Sequence, residues 1–359
     1  MLFGIPTRIL GDDNPLARSY RIAVLRGDGV GPEVVDAALR VLDTVQARGS
    51  FKLEYVMGEA GYHCMPKYGT NLPEETVNLL KDTAACFKGP MTTPETEGSP
   101  RSVAVTLRKM YDLYANVRPC RAMPRVPSLN PNIDLIILRE NTEGLYVSNE
   151  FEVSPGIAIA MRVITRKASE RIARFAFKLA MERKKHITYV HKGNILKLTD
   201  GIFKQSVLDV AKDFPGVQVE DMHIDAMAMQ LIKRPESFDV IVTTNMFGDI
   251  LSDEAAQTVG GLGVVAGANI GDRYAMFEPV HGSAPKYAGQ NKVNPIATIM
   301  AAKMMLEYFG EKEAAKKIVR LGAQSVIVKG GHLKSEKVYD VFCHEAKLKV
   351  MEKPRVRTE

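Results

Sequence analysis

The chain has 359 residues, enough for two domains with a sizeable core, and its 45% hydrophobic and 25% charged content is typical of globular proteins. Its apolar runs are shorter than the ~18 residues that a membrane-spanning helix requires, so no membrane partner is expected. The net charge of +6 comes without tryptophan and without aromatic residues interleaved among basic ones. This pattern argues against nucleic-acid binding.

The cysteine pattern predicts a reduced, cytoplasmic protein. Cys64, Cys86, Cys120 and Cys343 are scattered and show neither a CxxC pair nor the spacing of metal ligands. The first residues, 1–8, do not have the pattern of a secretory signal. We therefore expect free thiols and a cytoplasmic location.

Apolar strands alternate with amphipathic helices along the chain. The strand at 21–26 is followed by a glycine turn and a helix over 33–46, with Pro32 in a position that a first helical turn tolerates. Further strands are expected at 133–138, 187–190 and 238–242, and helices at 165–183 and 294–309. Thr165 is a candidate helix cap. This alternation predicts an α/β fold around a mixed, largely parallel sheet.

The segment at about 150–164 differs from the rest. It is mildly apolar, contains Pro155-Gly156 and lacks helical periodicity. We expect a protruding two-stranded arm, which would be buried most easily against a second subunit.

The turn Gly27-Asp-Gly-Val-Gly-Pro resembles a dinucleotide-binding fingerprint only in part. The third glycine of that fingerprint would fall on Pro32. The turn is therefore interpreted as a tight connection between a strand and a helix.

Three arginines follow apolar segments: Arg108 on a short helix, Arg118 at the end of an apolar run, and Arg139 just past a strand. Together they could bind a substrate with several carboxylates through bidentate contacts. Each alone is better explained by a surface salt bridge. Tyr146, seven residues after Arg139, is a candidate site residue or a packed core tyrosine.

Lys192 and Asp225 each follow a predicted strand. Lys192 is a candidate base if burial lowers its pKa, or a solvated lysine. Asp225 precedes an apolar helix and is a candidate metal ligand or a helix cap.

Asp249 and Asp253 follow the strand at 238–242 and the turn Asn245-Met-Phe-Gly. We expect a helix from Asp249 to about Gly260, which places both carboxylates on one face of its first turn. Paired carboxylates at the carboxyl edge of a sheet suit Mg²⁺ or Mn²⁺. Alternatively, the acids complement the helix dipole.

Taken together, these motifs resemble those of the β-decarboxylating dehydrogenases, which include isocitrate, 3-isopropylmalate, homoisocitrate and tartrate dehydrogenases. The resemblance extends from about Tyr20 to about Gly322. The motifs that carry it are Gly27-Asp-Gly-Val-Gly-Pro-Glu, Asp112-Leu-Tyr-Ala-Asn-Val-Arg-Pro, Arg139-Glu-Asn-Thr-Glu-Gly, His191-Lys-Gly-Asn, Asn245-Met-Phe-Gly-Asp-Ile-Leu-Ser-Asp and Glu278-Pro-Val-His-Gly-Ser-Ala-Pro.

The resemblance implies a two-domain fold that binds its dinucleotide without a Rossmann domain. A large domain would comprise residues 1–113 and 255–359, and a small dimerisation domain residues 114–254. It also implies a homodimer with shared active sites.

The resemblance assigns roles to individual residues. The implied substrate-binding residues are Ser102, Arg108, Arg118, Arg139 and Asn194. The implied metal ligands are Asp249 and Asp253, with Asp225 from the other subunit. Tyr146, and Lys192 supported by Asp225, would do the acid–base work. The implied cofactor-binding residues are Thr93, Arg234, Glu278, His281, Gly282, Lys286, Tyr287 and Asn294.

The resemblance favours NADP over NAD. Lys286-Tyr287 after His-Gly-Ser-Ala-Pro is similar to the NADP-dependent isocitrate dehydrogenases, whereas the NAD enzymes usually have Asp-Ile or similar there. Arg234 matches an arginine that approaches the 2′-phosphate from the partner subunit. The segment 329–336 departs from the family pattern, and Lys329, His332 or Lys334 are candidates to replace the missing contacts.

The substrate is expected to be isocitrate, on the strength of Ser102 and the NADP features. Ala104 stands where isocitrate dehydrogenases have asparagine and isopropylmalate enzymes usually have leucine. Val105 stands where the homoisocitrate enzymes with the clearest signature have arginine. Homoisocitrate, 3-isopropylmalate or broad specificity with NAD is the alternative. A non-catalytic regulatory subunit is a further alternative, although such subunits tend to lose the metal, lysine or tyrosine residues present here.

Overall fold

The computed structural model describes residues 18–96, 98–324, 326–329, 337–344 and 347–354, with side chains as far as residue 319. The strands are β1 Arg18–Leu25, β2 Phe51–Gly58, β3 Ala85–Lys88, β4 Ala115–Arg121, β5 Asp134–Glu140, β6 Glu150–Ser154, β7 Ile157–Ala160, β8 His186–His191, β9 Gln218–His223, β10 Val240–Thr243, β11 Ala266–Ile270, β12 Ala275–Pro279, β13 Val326–Lys329, β14 Lys337–His344 and β15 Lys347–Pro354. The α-helices are α1 Gly31–Gln46, α2 Met65–Tyr68, α3 Glu74–Lys81, α4 Val103–Met110, α5 Arg166–Met181, α6 Thr199–Ala211, α7 Ile224–Lys233, α8 Asn245–Thr258, α9 Ile296–Tyr308 and α10 Lys312–Gln324. Short 3₁₀ turns lie at Tyr62–Cys64, Leu145–Val147, Pro235–Ser237, Leu262–Val264 and Pro285–Tyr287.

Ten strands form one sheet in the order β2-β1-β3-β12-β11-β4-β5-β10-β8-β9. Neighbours pair in parallel except along β12-β11-β4-β5, where the pairs are antiparallel. The prediction of a mixed, largely parallel α/β sheet is confirmed. Apolar runs buried on both faces are what such a sheet requires, and β3, β10, β11 and β12 are buried throughout.

The two ends of the chain and its middle occupy different halves of the sheet. Strands β1, β2, β3, β11 and β12 lie on one side, and β4, β5, β8, β9 and β10 on the other. The predicted boundaries at residues 113/114 and 254/255 fall between these sets. The division into two domains itself stays a prediction.

The turn after β1 brings three loops together. Gly27 and Gly29 have φ values of +74° and +60°, which favour glycine. A Cβ would lie 2.2 Å from the Pro90 carbonyl oxygen at Gly27 and 2.0 Å from that of Ser283 at Gly29. The interpretation of 27–32 as a tight strand-to-helix turn is therefore supported by its backbone geometry, and Pro32 lies in the first turn of α1.

Helix starts were predicted with mixed success. Thr165 caps α5 as expected, since its side chain accepts a hydrogen bond from the Ala168 amide. The expected start of a helix at Asp249 is wrong, because α8 begins at Asn245. Asp249 is therefore the fifth residue of the helix. It lies beyond the first turn, and the first turn is where an acidic residue complements the helix dipole best.

The arm forms as expected. Strands β6 and β7 pair as an antiparallel hairpin around Gly156, which has a φ of +79°. Its apolar side chains are exposed, among them Phe151 at 52% and Ile159 at 45%.

Within the described residues, we found no helix long and apolar enough to cross a membrane. Cys64, Cys86 and Cys120 are buried thiols.

Candidate active site

Asp249 is the point where several predicted site residues meet. Its carboxylate accepts short hydrogen bonds from Arg139 and from the Tyr146 hydroxyl, and Arg118 lies 3.4 Å away. Burial raises the pKa of Asp249, but the charges of Arg139 and Arg118 outweigh it and hold that pKa below its usual range. The carboxylate is thus ionised and ready to act as a ligand at neutral pH.

Asp253 lies one helical turn further along α8 and faces the same arginine. Its carboxylate is 3.2 Å from Arg118, whose guanidinium also donates to Ser252 at 2.6 Å. Burial raises the pKa of Asp253, and the nearby charge of Asp249 raises it further against the opposing effect of Arg118. Two neighbouring carboxylates, one of which raises the proton affinity of the other, form a place where a divalent cation would be favoured.

Arg139 is held rigidly at the end of β5. It is 1% exposed and donates from Nε and a terminal nitrogen to Asn245 at 2.9 and 2.7 Å. Gly248 allows α8 to approach, because a Cβ there would lie 2.6 Å from the Arg139 Cβ. Burial and the neighbouring Arg108 lower the pKa of Arg139 to about 10, so it remains charged at neutral pH.

Arg108 is positioned from the other side by Glu278. The guanidinium donates to Asn269 and to Glu278, both at 2.9 Å. Lys88 lies 2.6 Å from the second oxygen of Glu278. Burial raises the pKa of Glu278, but Lys88 and Arg108 hold it far below its usual range. In this structure Glu278 therefore forms ion pairs with Lys88 and Arg108. Its expected contact with a cofactor stays a prediction.

A cavity of about 170 Å³ adjoins several of these cations. Its lining includes Lys88, Ser102, Ala104, Arg108, Arg118 and His281. Sequence reasoning missed Lys88 and Asn269. Lys88 is the last residue of β3, a strand that is buried throughout. A buried lysine requires an acceptor or an opposite charge, and this requirement could have identified Lys88.

Lys192 and Asp225 form a second group. The Lys192 amine lies 2.5 Å from the Asp225 carboxylate, and the hydrogen bond to Lys192 lowers the pKa of Asp225. The Lys192 amide donates to the buried Asp200 at 2.6 Å, which fixes the turn after β8. Asn194 in the same turn is exposed.

This second group is separate from the first within one chain. Among the described residues, the carboxylates of Asp225, Asp249 and Asp253 do not form a group of ligand atoms within 4.8 Å of one another. The expectation that Asp225 reaches the metal from a second subunit stays a prediction.

The predicted cofactor residues lie mostly on exposed loops. Lys286 and Tyr287 share a 3₁₀ turn, with the amine 4.8 Å from the ring centroid. The His281 Nδ1 lies 3.0 Å from the Gly282 carbonyl oxygen, and its Nε2 is buried and lacks a hydrogen-bond partner among the described residues. Burial lowers the pKa of His281. A neutral ring with an unpaired nitrogen fits a ligand-binding position.

The remaining predicted cofactor residues lie on different elements of the chain. Asn294 accepts from the Ile296 amide at the start of α9, and Thr93 is exposed. Arg234, at the end of α7, donates to Gln230 at 2.8 Å. The side chains of Lys329, His332 and Lys334 lie outside the described residues.

Comparisons with known proteins identify the family to which this chain belongs. Residues 21–333 match the family model described as isocitrate/isopropylmalate dehydrogenase. The chain is 51% identical over 84% of its length to an isocitrate/homoisocitrate dehydrogenase of Thermus thermophilus, covering 89% of that protein. It is 50% identical over 83% of its length to a 3-isopropylmalate/3-methylmalate dehydrogenase of Methanocaldococcus jannaschii, covering 89% of that protein.

A solved structure shows the same fold. The crystal structure of isocitrate dehydrogenase from Methylococcus capsulatus matches with a TM-score of 0.80 and 45% identity, covering 84% of this chain and 89% of that one. The chain therefore belongs to the isocitrate/isopropylmalate dehydrogenase family, whose members are enzymes that oxidatively decarboxylate 2-hydroxy acids.

Proposed function

We propose that this protein oxidises and decarboxylates isocitrate to 2-oxoglutarate, with NADP as the hydride acceptor and Mg²⁺ or Mn²⁺ as the metal. The observation that carries the choice of substrate is the lining of the cavity. Lys88 and Ser102 lie in the same cavity as Arg108 and Arg118. A wall with a buried cation and a hydroxyl suits a third carboxylate better than a hydrocarbon branch.

The arginines supply the contacts for the other carboxylates. Arg108, Arg118 and Arg139 are nearly buried and fixed by hydrogen bonds, so little side-chain entropy is lost when a substrate binds. Arg118 and Arg139 now pair with Asp249. A bound substrate carboxylate would share these guanidinium groups.

The donor set fits a hard divalent cation. Asp249 and Asp253 would hold it, with Asp225 of a second subunit completing the carboxylate ligands. When bound, such an ion supplies Lewis-acid polarisation of the substrate oxygens and stabilises negative charge in the transition states.

Two side chains would move protons. Lys192, oriented by Asp225, would take the proton of the C2 hydroxyl while hydride leaves C2 for the nicotinamide. Loss of CO₂ from the resulting β-keto acid leaves a carbanion equivalent at C3. Tyr146 would protonate that carbon, since its hydroxyl already lies beside Asp249. Burial raises the pKa of Tyr146, which keeps it protonated for this step.

The proposal of NADP rests on polar and positively charged side chains that could bind the 2′-phosphate. Lys286 and Tyr287 are exposed on one turn, and a cation with a hydroxyl suits the 2′-phosphate. The unpaired Nε2 of His281 on the adjacent loop is a further candidate contact. NAD is the alternative, because the segment 329–336 departs from the pattern of NADP enzymes.

Homoisocitrate and 3-isopropylmalate are alternative substrates. Relatives named for each of them are about equally similar to this chain. Ala104 is small and lines the cavity, which leaves room for a longer chain or an apolar branch. A regulatory role without catalysis is disfavoured, since Lys192, Tyr146 and the aspartates are present.

Steady-state kinetics test the proposal. Isocitrate, homoisocitrate and 3-isopropylmalate are each assayed with NADP and with NAD, with and without Mg²⁺. The proposal expects the highest kcat/KM for isocitrate with NADP and no turnover after metal removal. A higher kcat/KM with 3-isopropylmalate, or with NAD, would refute the corresponding part.

A further inference from the structure

A second group of metal-type side chains lies outside the active site, after strand β2. Glu59 follows the strand, and His63 and Cys64 lie in the 3₁₀ turn Tyr62–Cys64. The ligand atoms of these three residues all lie within 4.8 Å of one another. His63 Nε2 is 2.9 Å from the Glu59 carboxylate and 3.5 Å from the Cys64 sulfur.

The two carboxylates around His63 require a positive charge, either on the ring or on a bound ion. Its Nδ1 is 2.7 Å from the Asp28 carboxylate, while its Nε2 faces Glu59. A neutral imidazole has one N–H and can donate to only one of these acceptors. The second contact is attractive only if the ring is protonated or if a cation lies between Nε2 and Glu59.

Asp28 provides the support that histidine ligands need. It is 6% exposed, and it also accepts hydrogen bonds from the amides of Tyr62, His63 and Thr92 at 2.9, 3.0 and 2.7 Å. Such a fixed carboxylate keeps the proton on Nδ1 and directs the lone pair of Nε2 outward. A carboxylate behind a histidine in this way is typical of zinc sites.

The separation of the nitrogen and sulfur donors also suits a tetrahedral ion. Bonds of about 2.0 Å to nitrogen and about 2.3 Å to sulfur place two such ligands about 3.5 Å apart. The observed distance between His63 Nε2 and Cys64 Sγ is 3.5 Å. The side chains of Glu59 and His63 are 63% and 43% exposed, so two of the three donors are open to solvent.

We propose that Glu59, His63 and Cys64 bind a thiophilic divalent cation of the zinc class, with water as a fourth ligand. Cys64 binds as a thiolate and its proton passes to the buffer. The sulfur and nitrogen ligands distinguish this site from the all-carboxylate set of Asp225, Asp249 and Asp253, which suits Mg²⁺ or Mn²⁺.

Binding would join segments that border the predicted cofactor loops. Through Asp28, the ion would tie the turn at Tyr62–Cys64 to the glycine turn and to Thr92. Thr92 in turn contacts Ser283 at 2.7 Å. We therefore expect the bound ion to raise the Tm of the protein.

Cobalt titration tests the site directly. The full chain, freed of metal and kept in excess Mg²⁺ to occupy the carboxylate site, is titrated with Co²⁺. One equivalent should produce a near-ultraviolet thiolate-to-cobalt charge-transfer band and raise the Tm. Cys64→Ser should abolish the band, whereas the matched control Cys120→Ser, a buried thiol elsewhere, should retain it.

A second variant keeps the test decisive if Cys64→Ser does not fold. Glu59→Gln changes an exposed side chain and should lower the Co²⁺ affinity at least about tenfold while dehydrogenase kinetics in Mg²⁺ are unchanged. Absence of the band in the unaltered protein, its persistence in Cys64→Ser, or an unchanged Co²⁺ affinity in Glu59→Gln would overturn the proposal.

Discussion

Lys192 and Asp225 form an ion pair of 2.5 Å. Within one chain, Asp225 does not join Asp249 and Asp253 of α8 in a single group of ligand atoms. Exposed apolar side chains adjoin both groups: Met229 at 56% follows Asp225 by one helical turn, and Ile250 at 57% is next to Asp249. These are side chains that a second subunit would cover. The proposed homodimer with shared active sites would account for both features.

Replacing Lys192 by methionine should lower kcat at least about 100-fold, because the proton acceptor for the substrate hydroxyl is lost. Binding of Mn²⁺ should persist, since the carboxylates remain. Steady-state kinetics give the measurement, and Lys204→Met is the matched control because Lys204 pairs with Asp221 instead. A kcat within about threefold of the original would contradict the role of Lys192.

Asp253→Asn should weaken Mn²⁺ binding at least about tenfold, because a charged oxygen ligand becomes neutral. Electron paramagnetic resonance of free Mn²⁺ measures this affinity. The neighbouring Glu254→Gln makes the same carboxylate-to-amide change on α8, and it should leave the affinity unchanged. Equal effects of the two substitutions would show that only the net charge of the helix matters.

The double change Lys286→Asp and Tyr287→Ile should lower kcat/KM for NADP by about 10- to 150-fold, as expected for loss of about 1.5–3 kcal/mol in charged hydrogen bonds. kcat/KM for NAD should not fall. Lys292→Asp nearby is the control for a general charge effect. If both cofactors lose equally, the pair does not recognise the 2′-phosphate.

The exposed arm predicts a defined effect on assembly. Phe151→Asp combined with Ile159→Asp should dissociate the dimer and abolish activity, since charges replace apolar side chains that are about half exposed in one chain. Sedimentation velocity measures the mass. Leu129→Asp, at a similarly exposed position outside the arm, should stay dimeric. A dimer that survives the double change would exclude the arm as the main contact.

Glu143 should make stability depend on pH. Burial, partly opposed by hydrogen bonds from Thr165, raises its pKa from 4.5 to about 7. Between these values the folded chain binds more protons than the unfolded chain, so this group lowers the free energy of unfolding as pH rises from about 4.5 to about 7.

Glu143→Gln removes that titration while keeping an oxygen acceptor for Thr165. Urea unfolding at pH 5 and pH 7.5 should show that the variant loses less stability than the original protein over this range, by up to about 3 kcal/mol. Identical pH profiles would contradict the raised pKa. Thr142→Val, at a neighbouring position, serves as a control.

Much of the sheet could be predicted from the sequence, because β-branched apolar runs such as 238–242 have few alternatives to a buried strand. The start of α8 could not be placed, since Asn245-Met-Phe-Gly contains a glycine that normally interrupts helices. Here that glycine is required for contact with Arg139. Lys88 was overlooked because its partner Glu278 is 190 residues away, a pairing that only the folded sheet brings about.

Mixing two variants that are each defective at a limiting Mn²⁺ concentration tests the proposed shared active site most directly. Lys192→Met and Asp253→Asn chains are unfolded together, refolded, and assayed for NADP reduction with isocitrate. Random pairing makes about half of the dimers mixed, and one of the two sites in each mixed dimer is intact, so about a quarter of the original activity should return. Activity no higher than that of either variant alone would contradict a site built from two chains.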